Sequence, residues 1–295
     1  MERIQAMLRI GIGEFSYTKP YGFAEGTYRM KRQGYSSMDY QEFMNTDTEL
    51  FQKKHGQFIS YLEEQSKMCK QAGIEVFQTH GPWRYPPRDL TPEDRAERFD
   101  KMSRAIEGTA ALGSKRMVIH PIMPFTRSDE GHAKETWEMN LEFMGRLTQV
   151  GKEHDVIICF ENMPMPDFSM APSAKVLEFV KLINSDYFRV CLDTGHSAIT
   201  KDSPADDVRL IGREYLETLH VHDNNGKYDV HLHPFAGVID WEAFGNALFE
   251  IGYDGVINLE LHAPKQMPKE LMEAEETLLY RKAEYIAKLA SGERK

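Results

Sequence analysis

The chain has 295 residues, 41% hydrophobic and 28% charged, with 36 Lys and Arg against 46 Asp and Glu for a formal charge of −10. That apolar content suffices for a large core and excludes a disordered chain; no run approaches the ~20 apolar residues of a membrane span, and Val156–Phe160 is among the longest. The negative balance disfavours a nucleic-acid partner, because phosphate binding runs on Lys and Arg. Met1–Ile10 carries Glu2, Arg3 and Arg9 and lacks the apolar stretch of a secretory signal. Cys69, Cys159 and Cys191 are too few and too scattered for a disulfide scaffold or a thiolate zinc site. The expectation is a soluble, cytoplasmic protein of a reducing compartment.

Short apolar runs recur, each followed by a helical pattern. Leu8–Gly13 comes first, with Glu14 after it placed either to cap the next segment, the favoured reading, or to reach the mouth, and the more polar Tyr35–Tyr40 follows. Phe51, Phe58, Leu62 and Cys69 then share one helical face, spaced 7, 4 and 7 residues apart. Ile74–His80 leads into the stiff loop Trp83-Arg84-Tyr85-Pro86-Pro87-Arg88 and the helix start Thr91-Pro92-Glu93-Asp94, which offers an N-cap hydroxyl, a proline at N1 and first-turn acids. Next come Arg116–His120, a helical face of Trp137, Leu141, Met144, Leu147 and Val150, and Val156–Glu161. Phe188–Asp193, the helix start Ser203-Pro204-Ala205-Asp206, Thr218–His222 and Val256–Glu260 complete the series. Gly73, Gly113 and Gly252 stand where helices want a left-handed C′ residue. Eight buried strands alternating with eight helices predict a (β/α)8 TIM barrel, one catalytic domain over residues 1–295. The competing architecture is a doubly wound open sheet, but Gly11-Ile12-Gly13 continues as Glu14-Phe15-Ser16, with no GxGxxG for a dinucleotide.

The strand ends carry the chemistry. Successive runs close on His80, His120, Glu161, Asp193, His222 and Glu260, separated by 40, 41, 32, 29 and 38 residues, each about one βα unit. In a closed barrel the C-terminal strand ends meet at one mouth, where such folds keep their sites. Carboxylates converging in a partly dry pocket repel one another, and a divalent cation removes the conflict. Carboxylate and imidazole donors suit Mn²⁺, Zn²⁺, Co²⁺ or Mg²⁺.

The segments THGP at Thr79–Pro82, IHP at Ile119–Pro121, FEN at Phe160–Asn162, LDTGH at Leu192–His196, His220–Trp241 and NLELH at Asn258–His262 resemble the xylose isomerase-like TIM-barrel superfamily over nearly the whole chain. This superfamily includes sugar phosphate isomerases and epimerases, ketose 3-epimerases, inosose-pathway enzymes and endonuclease IV. The resemblance implies one divalent metal, Mn²⁺ first, held by Glu161, Asp193, His222 and Glu260. It implies a metal that grips a carbonyl and a neighbouring hydroxyl of the substrate and stabilises an enediolate, with Glu161 and Glu260 moving the proton. His80, His120, His196, Trp83 and Lys227 are the candidate substrate contacts; His196 would hold a hydroxyl or orient Asp193. The expected partner is a small carbohydrate-like substrate, with no membrane or nucleic acid, and the fold is compatible with a homo-oligomer.

The sequence departs from the family in places. Pro234-Phe235-Ala236-Gly237 stands where relatives often read PGEG, His233 adds an imidazole, and Tyr228, beside Lys227, occupies the place of an arginine six residues past the metal histidine in ketose 3-epimerases. The leading expectation is therefore an isomerase or epimerase of a sugar, sugar acid or cyclitol derivative. The alternatives are a lyase or dehydratase, including the C-glycoside-cleaving type, with the same chemistry, and a non-catalytic binder. The endonuclease IV branch, a phosphodiesterase, adds His80, His120, His196 and Asp229-Val230-His231 as zinc ligands.

Overall fold

The computed structural model describes residues 6–83, 89–261 and 267–293. Arg84, Tyr85, Pro86, Pro87 and Arg88 of the predicted loop, and His262 of the last motif, lie outside the described residues.

Eight parallel strands run in chain order as β1 (Arg9–Gly13), β2 (Ser37–Tyr40), β3 (Glu75–His80), β4 (Arg116–Ile119), β5 (Ile157–Glu161), β6 (Phe188–Asp193), β7 (Leu216–His220) and β8 (Val256–Leu259). Each strand pairs with its neighbour in sequence, and β1 also pairs with β8. The Val221–Leu259 bridge brings β7 to β8, with Val221 N–H donating to Asn258 O at 2.8 Å. The result is a (β/α)8 barrel; the open-sheet alternative is excluded because the last strand returns to the first. The predicted strands match within two residues at each end. A short extra strand, Pro124–Arg127, lies in the loop after β4.

Residues alternate across each strand, as the period of two requires. Met117, Ile119, Ile158, Phe160, Val190 and Leu192 join the main core packed against the helices. Their neighbours Val118, Cys159 and Cys191 form a separate small cluster. At the C-terminal ends the same alternation continues into His120, Glu161 and Asp193. One strand therefore supplies both packing and chemistry, on opposite faces.

Thr91 caps helix Pro92–Leu112 as predicted and Asp94 returns the bond, each 3.1 Å, and Ser203 caps Pro204–Tyr215. Gly73, Gly113 and Gly252 all adopt the left-handed C-cap conformation. Three expectations fail. Phe51 sits in its own short helix, Glu49–Gln52, separate from His55–Ala72, although it still packs on Phe58. Leu141 of helix Ala133–Glu153 is exposed, because the buried face runs through Asn140, Phe143, Met144 and Leu147. Glu14 does not cap the following helix with its side chain; it is buried and accepts the Gln41 N–H at 2.8 Å.

Asp207 gives a stability test. It is buried and accepts from Ser173 Oγ at 2.8 Å, and burial pushes its carboxyl up to about 6 despite hydrogen bonds from Ser197 and Ser173. The folded state thus binds the proton more tightly than the unfolded chain. Stability falls as pH rises between the ordinary carboxylate value and about 6. Asp207→Asn removes that loss while keeping an acceptor for Ser173. It is expected to stabilise the protein by on the order of 1–3 kcal/mol at pH 8, with the difference vanishing below about pH 4. Denaturant unfolding at the two pH values checks this; equal gains at both would contradict it.

Candidate functional site

Every strand-end residue singled out in the sequence reaches the mouth of the barrel. Glu161, at the end of β5, is its hub. Its Oε2 lies 2.8 Å from His120 Nε2 and 3.8 Å from His80 Nε2. Its Oε1 lies 2.9 Å from His220 Nδ1 and 3.7 Å from His196 Nδ1. Burial alone would raise the Glu161 carboxyl, but His220 and His120 outweigh it and hold it well below the usual range. Glu260 faces the same imidazole: its Oε2 is 3.3 Å from His220 Nδ1. The two glutamates therefore flank one ring nitrogen.

Asp193, the last residue of β6, works through both oxygens. Oδ1 accepts the His196 N–H at 2.6 Å and so caps the helix Thr194–Ile199, while Oδ2 lies 3.0 Å from His222 Nε2. Asn162 fastens β5 to β6: its Oδ1 accepts the Asp193 N–H at 2.7 Å and its Nδ2 donates to Asp193 O at 3.0 Å. Thr194 Oγ1 donates to His222 O at 2.7 Å. Asp223 accepts from Asn224 N, Gly237 N, Ile239 N and Trp241 Nε1, which ties down the loop after β7. Asp229 and His231 on that loop close the mouth. Asp229 lies 3.4 Å from His196 Nε2 and 3.3 Å from His231 Nε2.

The donor set fits a divalent cation. His80, His196, His222 and His231 each point Nδ1 at a backbone carbonyl, at 2.9, 2.7, 3.2 and 3.0 Å. That leaves Nε2 as the outward lone-pair nitrogen, the arrangement that metal-ligating histidines use. Around these nitrogens the buried carboxylates of Glu161, Asp193 and Glu260 draw positive charge. Against the cost of burial, Asp193 and Asp229 raise His196 to about 10, and Asp229 and Glu260 raise His231 to about 9. Several triads of donor atoms lie within 4.8 Å of one another, among them His80–His120–Glu161, Asp193–His196–His222 and His222–Asp229–His231. Of the four expected metal ligands, Glu161 and Glu260 line the main cleft and meet at His220 Nδ1, whereas Asp193 and His222 are fully buried and pair with each other.

Two residues escaped the sequence reading. His220 is fully buried, its Nδ1 on the glutamates and its Nε2 2.9 Å from Asp39 Oδ2. It shares a strand face with His222, two residues on, so the paired histidines of His220-Val221-His222 were the available signal. Asp39 lies on β2, whose polarity marked it as unusual for a buried strand. Conversely, His233 stays out of the donor cluster and pairs with Glu275 at 3.0 Å. Trp83 packs edge-on against His120, with ring centroids 4.3 Å apart. Lys227 lies at the rim, with Arg127 and Trp83 in the same side cavity of about 590 Å³.

Gly195 sets the position of His222. A Cβ there would meet His222 Cε1 at 2.0 Å. Gly195→Ala is expected to swing the ring away from Asp193 and lower metal affinity about 10–100-fold, as loss of an orienting contact does. Metal titration by calorimetry checks this; unchanged affinity would show that His222 does not bind the ion.

The chain is similar to several known proteins. An uncharacterized protein of Methanocaldococcus jannaschii is 34% identical over 185 residues, covering 59% of this chain and 62% of that protein. A D-psicose 3-epimerase of Ruminiclostridium cellulolyticum is 26% identical over 194 residues, covering 64% of each. The chain thus spans less than two thirds of the length of these curated relatives. The crystal structure of a D-tagatose 3-epimerase-like protein shares the fold with a TM-score of 0.74 at 22% identity, over 95% of this chain and 98% of that one. The family model described as xylose isomerase-like TIM barrel matches residues 30–284. On that match and on the closed barrel, the chain belongs to the xylose isomerase-like TIM-barrel family.

Proposed function

We propose that the protein is a divalent-metal-dependent isomerase or epimerase of a sugar, sugar acid or cyclitol derivative, with Glu161 and Glu260 as its acid–base pair. The observation that carries this reading is the placement of the two glutamates on one buried imidazole, 2.9 and 3.3 Å from His220 Nδ1, among donors suited to a cation. Glu161, Asp193, His222 and Glu260 would hold the ion. When bound, a divalent cation supplies Lewis acidity that eases loss of a proton beside a carbonyl. The chain's own groups do the rest. One glutamate oxygen takes the carbon-bound proton, and the same or the opposite glutamate returns it. His220 and Asp39 fix the glutamates' orientation from behind. His196 offers Nε2 to a substrate hydroxyl, and Trp83 covers the open side above His120.

The test is NMR in D₂O with Mn²⁺-, Co²⁺- or Zn²⁺-loaded protein and a panel of carbonyl-bearing sugars, sugar acids and inososes. Deuterium entering the carbon beside the carbonyl, with an isomer appearing, supports the reading. An elimination product would move it to the lyase class. No exchange on any member of the panel would overturn it.

A second reading rests on the surplus of donors. His80, His120 and Glu161 on one side, and His222, Asp229 and His231 on the other, form separate triads. These offer places for more than one ion and favour a zinc phosphodiesterase if filled. Three tightly held zinc ions per chain, with cleavage of abasic DNA, would establish it; a single ion per chain supports the isomerase.

A further inference from the structure

The barrel lumen beneath the candidate site is polar and lightly filled. Ile10, Ile12, Met38 and Ile257 belong to the main core against the helices, so alternation turns Gly11, Ser37, Asp39 and Asn258 into the lumen. In closed barrels that interior is ordinarily a stack of bulky branched side chains. Here β1 contributes Gly11 and Gly13, and its neighbours β2 and β8 contribute small or polar groups. A Cβ on Gly11 would lie 2.7 Å from Asn258 Oδ1 and 2.9 Å from Ser37 Oγ, so both groups border the space that the glycine leaves. The Phe77 ring closes the lumen from below. It lies 5.3 Å from the guanidinium of Arg9, at the start of β1, and 4.3 Å from that of Arg116, at the start of β4. A ring that reaches both strands lies across the barrel.

Three fully buried side chains in this layer have more bonding capacity than the chain fills. Asp39 Oδ2 lies 2.9 Å from His220 Nε2 and accepts from Gln78 Nε2 at 3.3 Å. Asp39 Oδ1, Gln78 Oε1 and both Asn258 Oδ1 and Nδ2 have no partner among the described residues. A buried polar atom left unpaired forfeits its hydration, and native folds satisfy nearly all of them. The missing partner must both accept and donate, because an amide N–H and three oxygens are unmet together. A cation cannot accept from Asn258 Nδ2, and an apolar molecule serves none of the four. Water serves them all. At about three hydrogen bonds for each buried water, about one or two molecules suffice.

Resting on the isomerase reading, we propose that ordered water enclosed between Asp39, Gln78 and Asn258 makes Gln78 and Asn258 positioning residues for the acid–base pair. The water engages Asp39 Oδ1 while Asp39 Oδ2 holds His220 Nε2. His220 Nδ1 in turn lies 2.9 Å from Glu161 Oε1 and 3.3 Å from Glu260 Oε2. With both oxygens engaged, the Asp39 carboxylate cannot turn, and the imidazole it holds keeps one orientation toward the glutamates. The amide layer thus reaches both glutamates through water, Asp39 and His220, without touching the substrate.

A high-resolution crystal structure of the Mn²⁺-loaded protein reads the water directly. Ordered water within hydrogen-bond reach of both Asp39 Oδ1 and the Asn258 amide is the expected result; a lumen without it overturns the proposal. Asn258→Leu keeps nearly the same volume and removes both polar atoms. It is expected to expel the water and, at saturating metal, to lower kcat about tenfold or more while KM stays within about twofold. Asn258→Ser keeps a hydroxyl and leaves room for one more water, so it should recover most of that loss. A residue that only supported the fold would shift unfolding and leave the kcat of folded protein alone. A kcat of Asn258→Leu within about twofold of wild type therefore overturns the proposal. If Asn258→Leu does not fold, Gln78→Met carries the same comparison. If the wild-type protein exchanges no carbon-bound hydrogen on any carbonyl-bearing sugar, the isomerase reading fails, and the crystal structure of the variant decides the proposal instead. His220 displaced from Glu161 or Glu260 supports it; His220 unmoved from both overturns it.

Discussion

Glu161→Gln and Glu260→Gln are each expected to lower turnover about 10²–10⁴-fold, the usual effect of losing a general acid or base. The amide keeps an oxygen for the metal and nearly the same shape, but it cannot take up a proton. The two sites differ in their surroundings, and so should the side effects. Glu161 is fully buried and meets four imidazoles within 3.8 Å. Its charge is what His120 and His220 pair with. An amide there presents an NH₂ to at least one N–H that the carboxylate accepted, so Glu161→Gln should also lose stability. Glu260 meets His220 and, at 3.9 Å, His231, and it lines the main cleft. Its replacement should leave unfolding nearly unchanged. Metal occupancy must be matched before rates are compared, because the amide is a weaker ligand. The decisive measurement is exchange of carbon-bound hydrogen in metal-saturated variants. If epimerisation uses both bases, interconversion disappears in both variants, while one isomer still exchanges in each. If one base serves both directions, exchange disappears in one variant only. Turnover of both within a factor of a few of wild type would make these residues ligands alone and end the acid–base assignment.

Much of this site could be read from the chain because a parallel barrel writes its chemistry at regular intervals. Strands β3, β5 and β6 end in a side chain that faces the site, and β4 and β8 are followed directly by one. His80, His120, Glu161, Asp193 and Glu260 all stand at such ends, and spacing by about one βα unit identified them together. The family resemblance added which of them would share a cation. Less legible was what holds them. Asn162 sits inside a recognised motif, yet its role as a clamp on the Asp193 backbone needs the register of β5 on β6. Asp39 reaches His220 across 181 residues of sequence, a contact that only barrel closure creates. Glu14 misled because a carboxylate before a helix ordinarily suggests a cap; here the Gln41 N–H on the neighbouring loop was the better partner. Leu141 misled for a simpler reason. Its helix buries Asn140, which bonds both Ile122 N and Ile122 O, so the inward face is set partly by a polar contact that hydrophobic periodicity does not register.

Loss of the metal is the other large expected effect, and His222→Ala and Asp193→Asn test it from two sides of one contact. His222 is fully buried, its Nδ1 fixed on the Asp223 carbonyl and its Nε2 3.0 Å from Asp193 Oδ2. Alanine removes a ligand and leaves the Asp193 oxygen without its imidazole, so metal affinity should fall by at least ~10–100-fold, the loss seen when even an orienting partner is removed. Asparagine at 193 keeps an oxygen for the His196 N–H, and so keeps the cap of Thr194–Ile199. It loses the charge, and affinity should fall comparably with less damage to the fold. Thermal unfolding separates the two contributions. Ligand that binds only the folded state adds about 2.7 kcal/mol at a hundred times its Kd. Wild-type protein should therefore melt higher with Mn²⁺ than with chelator, while the variants show little difference between the two conditions. With chelator present, Asp193→Asn should unfold close to wild type and His222→Ala below it, since only the latter leaves a cavity beside a buried carboxylate. Elemental analysis completes the test: full occupancy in both variants would remove Asp193 and His222 from the metal site, whatever their effect on turnover.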